Sequence, residues 1–196
     1  MTPVPDPVAE AAAYQQYLLS ALGNDDPADA QATTPGTLRE LFDAAGSALR
    51  ERPEPGEWSV IECIGHVVDA EVVYGGRYRW TIAHDGPELI GYDQALWVAR
   101  LHHIDDDPDE LLAFFGAMRA ANLALWRRST EQERQRVGLH RERGPESFDL
   151  SFRLIAGHDR IHLAQARAAL AAASAAGAPR SGAWDEQPRR FRAPLV

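Results

Sequence analysis

The stretch Gly157-His158-Asp159-Arg160-Ile161-His162-Leu163-Ala164-Gln165 decides how the rest of the chain is read. Histidines four residues apart lie one turn above the other on an α-helix, with Cβ atoms about 5–6 Å apart, so both rings can reach one metal ion. Steps of about 100° per residue from Phe148 gather Leu150, Leu154, Ile155, Ile161 and Ala169 on one side, with Leu163 and Leu170 on its shoulder. Arg153, Arg160 and Arg167 gather opposite. His158 and His162 fall inside the apolar sector, and Gln165 falls beside them. Two inward imidazoles are costly to bury without partners, and their register points to a ligand pair. The helix carrying them is expected to begin near Ser147 and to run through an Ala-rich segment to about Ala176.

A reactive metal site needs three protein ligands and an open position, so a third ligand is sought on another helix. His66 is the best candidate. It follows a helix start marked by Trp58-Ser59, where Ser59 and Glu62 have capping-box spacing. It sits on the flank of a broad apolar arc beside Cys63 and Ala70. His84 stands 18 residues further along the same expected helix, roughly 27 Å away at 1.5 Å per residue, too far to share the site. His102 and His103 precede Ile104-Asp105-Asp106-Asp107 and read as a solvated turn at the rim of the cleft. His140 lies among Arg and Glu and reads as a loop residue outside the core. The order His158-Asp159-x-x-His162 falls short of the His-Glu-x-x-His pattern of zinc proteases. There Glu is the general base; here the shorter Asp159 points away from the midpoint of the two imidazoles.

Outward from these helices the chain reads as all-α. Residues 7–22 form a short Ala-rich helix ending at Gly23. Leu38, Leu41, Phe42, Ala45, Ala48 and Leu49 repeat at helical spacing up to Arg52-Pro53. A third helix runs from Ser59 to about Ala83, and a fourth starts near Asp107-Pro108 with Leu111, Leu112, Phe115, Met118, Leu125 and Trp126 on one side. No segment alternates with period two for long enough to make a convincing strand. Residues 85–108 are long for a bundle loop and read as a crossover carrying a short helix over the functional site. The expected organisation is an N-terminal arm with a short helix over residues 1–36, an antiparallel four-helix bundle over 37–176, and a tail over 177–196.

With 20 basic and 29 acidic residues the net charge is −9, which disfavours binding to phosphate backbones. The short basic patches, residues 134–143 and Arg189-Arg190-x-Arg192, are interleaved with acids or lie in the tail. No apolar run approaches the roughly 20 residues of a membrane span, and the Pro-rich start resembles no secretory signal. One cysteine, Cys63, excludes an intrachain disulfide and fits a reducing cytoplasm. The expected partners are therefore small molecules, with no nucleic acid and no membrane. Homodimerisation is left open.

Trp58-Ser59, then Glu62, His66, Asp69 and Glu71, followed downstream by Gly157-His158-x-x-x-His162-x-x-Gln165, resemble the DinB-like superfamily of metal-binding four-helix bundles. The similarity covers about residues 37–173, and Arg119-x-x-Asn122-x-x-Leu125 fits its third core helix. The resemblance implies an up-down-down-up bundle, with a zinc or nickel ion on His66, His158 and His162. It also implies a low-molecular-weight thiol cosubstrate (bacillithiol, mycothiol or glutathione) in S-transfer or isomerisation.

A divalent ion held by three neutral imidazoles keeps nearly its full charge, and so favours a bound thiolate or a hydroxide. The first reading is a metal-dependent thiol S-transferase. The second is a metal-dependent hydrolase at the same site, and the third a non-catalytic, stress-related binding bundle. Asp69, one turn after His66, is the candidate base or hydrogen-bond acceptor. Gln165 is expected to bind a ligand or orient a histidine, and Tyr92 and Trp97 of the crossover to wall the cleft. Glu71, in the middle of its apolar arc, calls for a buried partner in Arg119 or Asn122. Cys63 reads as a small core residue.

Overall fold

The computed structural model describes residues 4–176, so the expected tail at 177–196 lies outside the described residues. Helix α1 (Ala11–Leu22) stops at Gly23, whose φ is +65°. Helix α2 (Pro27–Ala45) starts on Asp26, which accepts from the backbone N–H groups of Ala28 and Asp29, with Pro27 in the first turn. Helix α3 (Val60–Ala83) opens on the expected capping box, the Glu62 carboxylate accepting from both the N–H and the hydroxyl of Ser59. The crossover carries helix α4 (Gln94–Arg100). Helix α5 (Pro108–Arg128) starts on Asp107, helix α6 (Glu131–Arg134) is a single turn, and helix α7 (Phe148–Ala176) closes the fold.

Side-chain pairings set the helix directions. His66 meets His158 and His162 while Tyr78 meets Phe148 and Phe152, so α3 and α7 are antiparallel. Arg39 pairs with Asp109 and Gln31 with Arg119, making α2 and α5 antiparallel. Gln31 reaches Phe152 and Thr34 reaches Asp159, so α2 and α7 are parallel. The order is up-down-down-up, and the long crossover is what lets α3 and α5 run the same way.

Two apolar clusters fill the bundle. One gathers Leu38, Phe42, Ile61, Ile64 and Phe115; the other gathers Tyr74, Tyr78, Trp126, Phe148 and Phe152. A polar layer lies between them, centred on Arg119, which is 1% exposed. Its Nη1 donates to Asp159 Oδ2 at 2.7 Å and to the Gln31 carbonyl at 3.1 Å. Its Nη2 stands 2.8 Å from Glu71 Oε2 as an ionic contact out of hydrogen-bond line. Asn122 donates to Glu71 Oε1 at 2.7 Å, and Thr34 to Asp159 Oδ2 at 2.9 Å. All four bundle helices meet in this network, and Glu71 finds both of the partners expected for it.

Three features depart from the sequence reading. Helix α2 begins ten residues before the expected boundary at residue 37, because Pro35 sits inside it rather than ending it. A proline has no N–H for the carbonyl four residues back; that carbonyl, on Gln31, is the one Arg119 takes up. The N-terminal segment is part of the core: Tyr14, Leu18 and Leu22 are buried against α7. A small sheet is also present, with strands β1 (Glu88–Leu89), β2 (Val137–His140) and β3 (Gly144–Ser147) in that order, the first pair parallel and the second antiparallel. Strands of two to four residues are too short to leave a readable alternation.

Candidate metal centre

The polar layer continues into the three histidines. Helix α3 buries His66 and α7 buries His158 and His162, one turn apart, at 0%, 3% and 7% exposure. Each offers a ring nitrogen, and the three nitrogens lie within 4.8 Å of one another. The ring centroids are 4.3–4.9 Å apart. His66 Nε2 and His158 Nε2 face each other at 2.9 Å. His162 Nδ1 is 2.8 Å from Gln165 Oε1. An amide oxygen only accepts, so Nδ1 carries the proton and Nε2 is left as the lone-pair nitrogen. Gln165 thus holds His162 in a tautomer suited to ligation.

Burial pushes His66 and His158 well below the ordinary imidazole range. His162, His158 and His103 add to the effect at His66; His162, Arg119 and Arg143 add to it at His158. Burial takes His162 down to about 4 against the opposing bond from Gln165. The three rings are therefore neutral near pH 7, the form that binds metal.

The donor set fits a divalent ion. His66 and His158 point Nε2 at each other while the Nδ1 of each is buried without a protein partner. A buried donor or acceptor without a partner costs about 1–3 kcal/mol. An ion on the Nε2 side would leave those two Nδ1 groups as they are, but it could take up the lone pairs of all three rings, where the facing Nε2 pair can share only one proton. A zinc-sized ion, about 2.1 Å from each nitrogen, needs only slight spreading of the 2.9 Å pair. The set contains no carboxylate or thiolate. Cys63 is buried beside the site with its thiol pushed up to about 12, first by burial and then by Glu62, and belongs to the core.

The surroundings only partly match expectation. Tyr92 is buried with its ring 6.2 Å from His66, and Trp97 packs behind it at 4.6 Å, forming one wall. A further aromatic ring, Trp58, lies 5.2 Å from the ring of His66 and 6.2 Å from that of His162. The Trp58-Ser59 start was visible in the sequence, but how that ring folds back was not. Asp69 gives Oδ2 to His103 Nε2 at 2.8 Å, and His103 Nδ1 reaches Asp106 Oδ2 at 2.6 Å. His103 is thus a buried ring clamped between two carboxylates and not part of a solvated turn. It packs against α3 at Gly65, where a Cβ would come within 2.4 Å of its ring. Despite burial, the two carboxylates hold its pKa above the usual value. His140 is likewise buried, on β2, with Arg77 at 3.2 Å, because the sheet turns it inward. His84 caps the far end of α3 in solvent, and Asp159 faces Arg119, away from the imidazoles.

Among known proteins, the profile of the DinB superfamily matches residues 12–166. No curated protein matches the chain. Among solved structures the fold is similar to that of YfiT from Bacillus subtilis, described as a probable metal-dependent hydrolase with an unusual four-helix bundle topology. The TM-score is 0.68 at 20% identity, over 73% of this chain and 83% of that one. None of the described helices is long and apolar enough to cross a membrane. The chain belongs to the DinB superfamily.

Proposed function

We propose that His66, His158 and His162 hold one divalent ion, zinc or nickel, and that the protein uses it as a low-molecular-weight-thiol S-transferase. The observation that carries this reading is an all-imidazole set of neutral, buried nitrogens with no carboxylate or thiolate among them. When bound, the ion supplies undiminished positive charge that favours the thiolate form of a thiol at its open position. Both S-transfer and hydrolysis need a proton removed, from a thiol or from water, and the thiol gives it up more readily. Asp159 is committed to Arg119 and Thr34, and Asp69 gives one oxygen to His103. S-transfer asks less of the protein, because the thiolate is itself the nucleophile.

Trp58 and Tyr92 offer the substrate aromatic surfaces, and Gln165 fixes His162. Asp69 Oδ1 accepts no hydrogen bond from the described residues and can take the thiol proton. Sulfur then forms a bond to the electrophilic carbon while the leaving group departs with its electron pair. The second reading, hydrolysis, is favoured by the description of YfiT and would use the same oxygen of Asp69 as base.

Protein loaded with Zn²⁺ or Ni²⁺ and given an alkylating or epoxide substrate should consume it only with added thiol, saturably, and not as His162→Ala. Thiol-independent hydrolysis of an ester or amide, with no thiol-dependent transfer, would replace the first reading by the second.

A further inference from the structure

A second polar cluster lies farther down α3 and is not used by the metal centre. Arg77 is eleven residues beyond His66 on the same face of the helix, about 16 Å along its axis, and is 0% exposed. Its Nη2 donates to the Ile90 carbonyl at 2.6 Å and stands 3.2 Å from His140 Nε2. Its Nε and Nη1 have no protein partner. Arg143, with a side chain only 2% exposed, pairs through Nε with Glu146 Oε2 at 2.9 Å, and its Nη2 also has no partner. The hydroxyl of Tyr92, whose ring reaches back to His66, is buried and unpartnered too.

The charges do not balance locally. Burial would raise Glu146, but Arg143, the Ser151 hydroxyl and Arg77 hold it below the usual carboxylate range, so it is ionised. His140 is driven down to about 3, first by burial and then by Arg143 and Arg77, and is neutral. Two guanidinium groups thus face one buried carboxylate. Glu142, which touches His140 Nδ1 at 3.1 Å, has a partly exposed side chain and lies on the far side of that ring from Arg77. The ring of Tyr74 lies against Arg77, its centroid 4.8 Å from the guanidinium carbon. Around Arg77 and Arg143 the cluster therefore combines one excess positive charge with three guanidinium nitrogens that lack acceptors, and the Tyr92 phenol stands at its edge, between Arg77 and the Asp69 carboxylate that pairs with His103. Water can answer the hydrogen bonds but not the charge, and a buried guanidinium is stable only when paired. A carboxylate or phosphate answers both, and the guanidinium fork suits either.

We infer that Arg77 and Arg143, with the Tyr92 hydroxyl, form a subsite for an oxyanion, the carboxylate or phosphate end of a small molecule whose other end reaches the histidine cluster past Tyr92. This deepens the proposed function by naming the substrate class as anionic. The binding of the anion itself does not depend on the metal.

The test is calorimetric titration of the full chain with inorganic phosphate and, separately, succinate, both as purified and after chelation. The expected result is saturable binding near one anion per chain in both states, the tighter anion identifying the headgroup. Arg77→Met should weaken it at least tenfold, Arg77→Lys less, and exposed Arg100→Ala not at all. Should Arg77→Met fail to fold, Tyr92→Phe, which removes one donor and no charge, should still weaken binding severalfold. Absence of binding by either anion overturns the inference, as does binding unchanged in Arg77→Met or, where that variant does not fold, in Tyr92→Phe (an adventitious ion only). Anion binding that survives while no metal binds would leave the subsite standing and the metal reading refuted.

Discussion

Replacing Gly157 with Ala should destabilise the protein, although Ala is the better helix former. A Cβ at Gly157 would stand 1.9 Å from the carbonyl oxygen of Leu18 and 2.7 Å from its carbonyl carbon. The obstacle is the backbone of α1, so no rotamer relieves it. Restoring an ordinary contact of 3.4 Å requires α1 to withdraw by about 1.5 Å. Leu18 and Leu22 are buried there, and Arg160 anchors the end of α1 through the carbonyls of Ala21 and Leu22. Helix propensity favours Ala by about 1 kcal/mol. Overpacking costs about 1–3 kcal/mol, and more when the backbone must move. With the cost near the top of that range because backbone must move, the net expectation is a loss of about 2 kcal/mol, read from urea denaturation of the metal-free protein. Gly116, in α5 with open space around its Cβ position, is the control, and Gly116→Ala should gain about 0.5–1 kcal/mol. A Gly157→Ala protein as stable as the parent would refute the close approach of α1 to α7. Because Gly157 precedes His158, the same displacement should also weaken metal binding.

Arg119→Met should cost about 3–5 kcal/mol, since it leaves Glu71 and Asp159 buried without their cation; a change below 1 kcal/mol in urea denaturation would contradict the network. The metal-free protein should lose stability as pH falls from about 6.5, the unfolded histidine value, through the folded values of the three rings. The unfolded chain binds protons there that the native state excludes. His162 alone, at about 4 when folded, accounts for about 3 kcal/mol by the bottom of that window. His103, whose folded value is raised, contributes in the opposite sense, stabilising below about 6.5 and losing its effect as pH rises through its folded value. Denaturation at several pH values checks this: an acid slope equal in His162→Gln and the parent would be inconsistent with the buried neutral ring.

The bundle was legible because its signals are local. The capping box at Ser59, the inward His158/His162 pair and the buried demand of Glu71 follow from spacing along one helix, and the crossover helix from the length of its connection. What escaped depends on contacts between elements. The start of α2 ten residues before residue 37 depends on Pro35 being carried inside the helix, where Arg119, 84 residues away, takes up the carbonyl it frees. His103 reads as solvated until Gly65 admits its ring between Asp69 and Asp106. Trp58 becomes part of the site only when it folds over His66. The Arg77 and Arg143 cluster joins residues of α3 and of a hairpin too short to be foreseen.

The most direct test is elemental analysis of protein purified without chelator or affinity-tag metal, followed by titration of its histidine variants. The expected result is about one divalent ion per chain, strongly weakened binding in His66→Ala, His158→Ala and His162→Ala, and unchanged binding in His84→Ala. Protein that carries no ion and gains no thermal stability from Zn²⁺ or Ni²⁺ would contradict it, as would His84→Ala proving as damaging as His158→Ala.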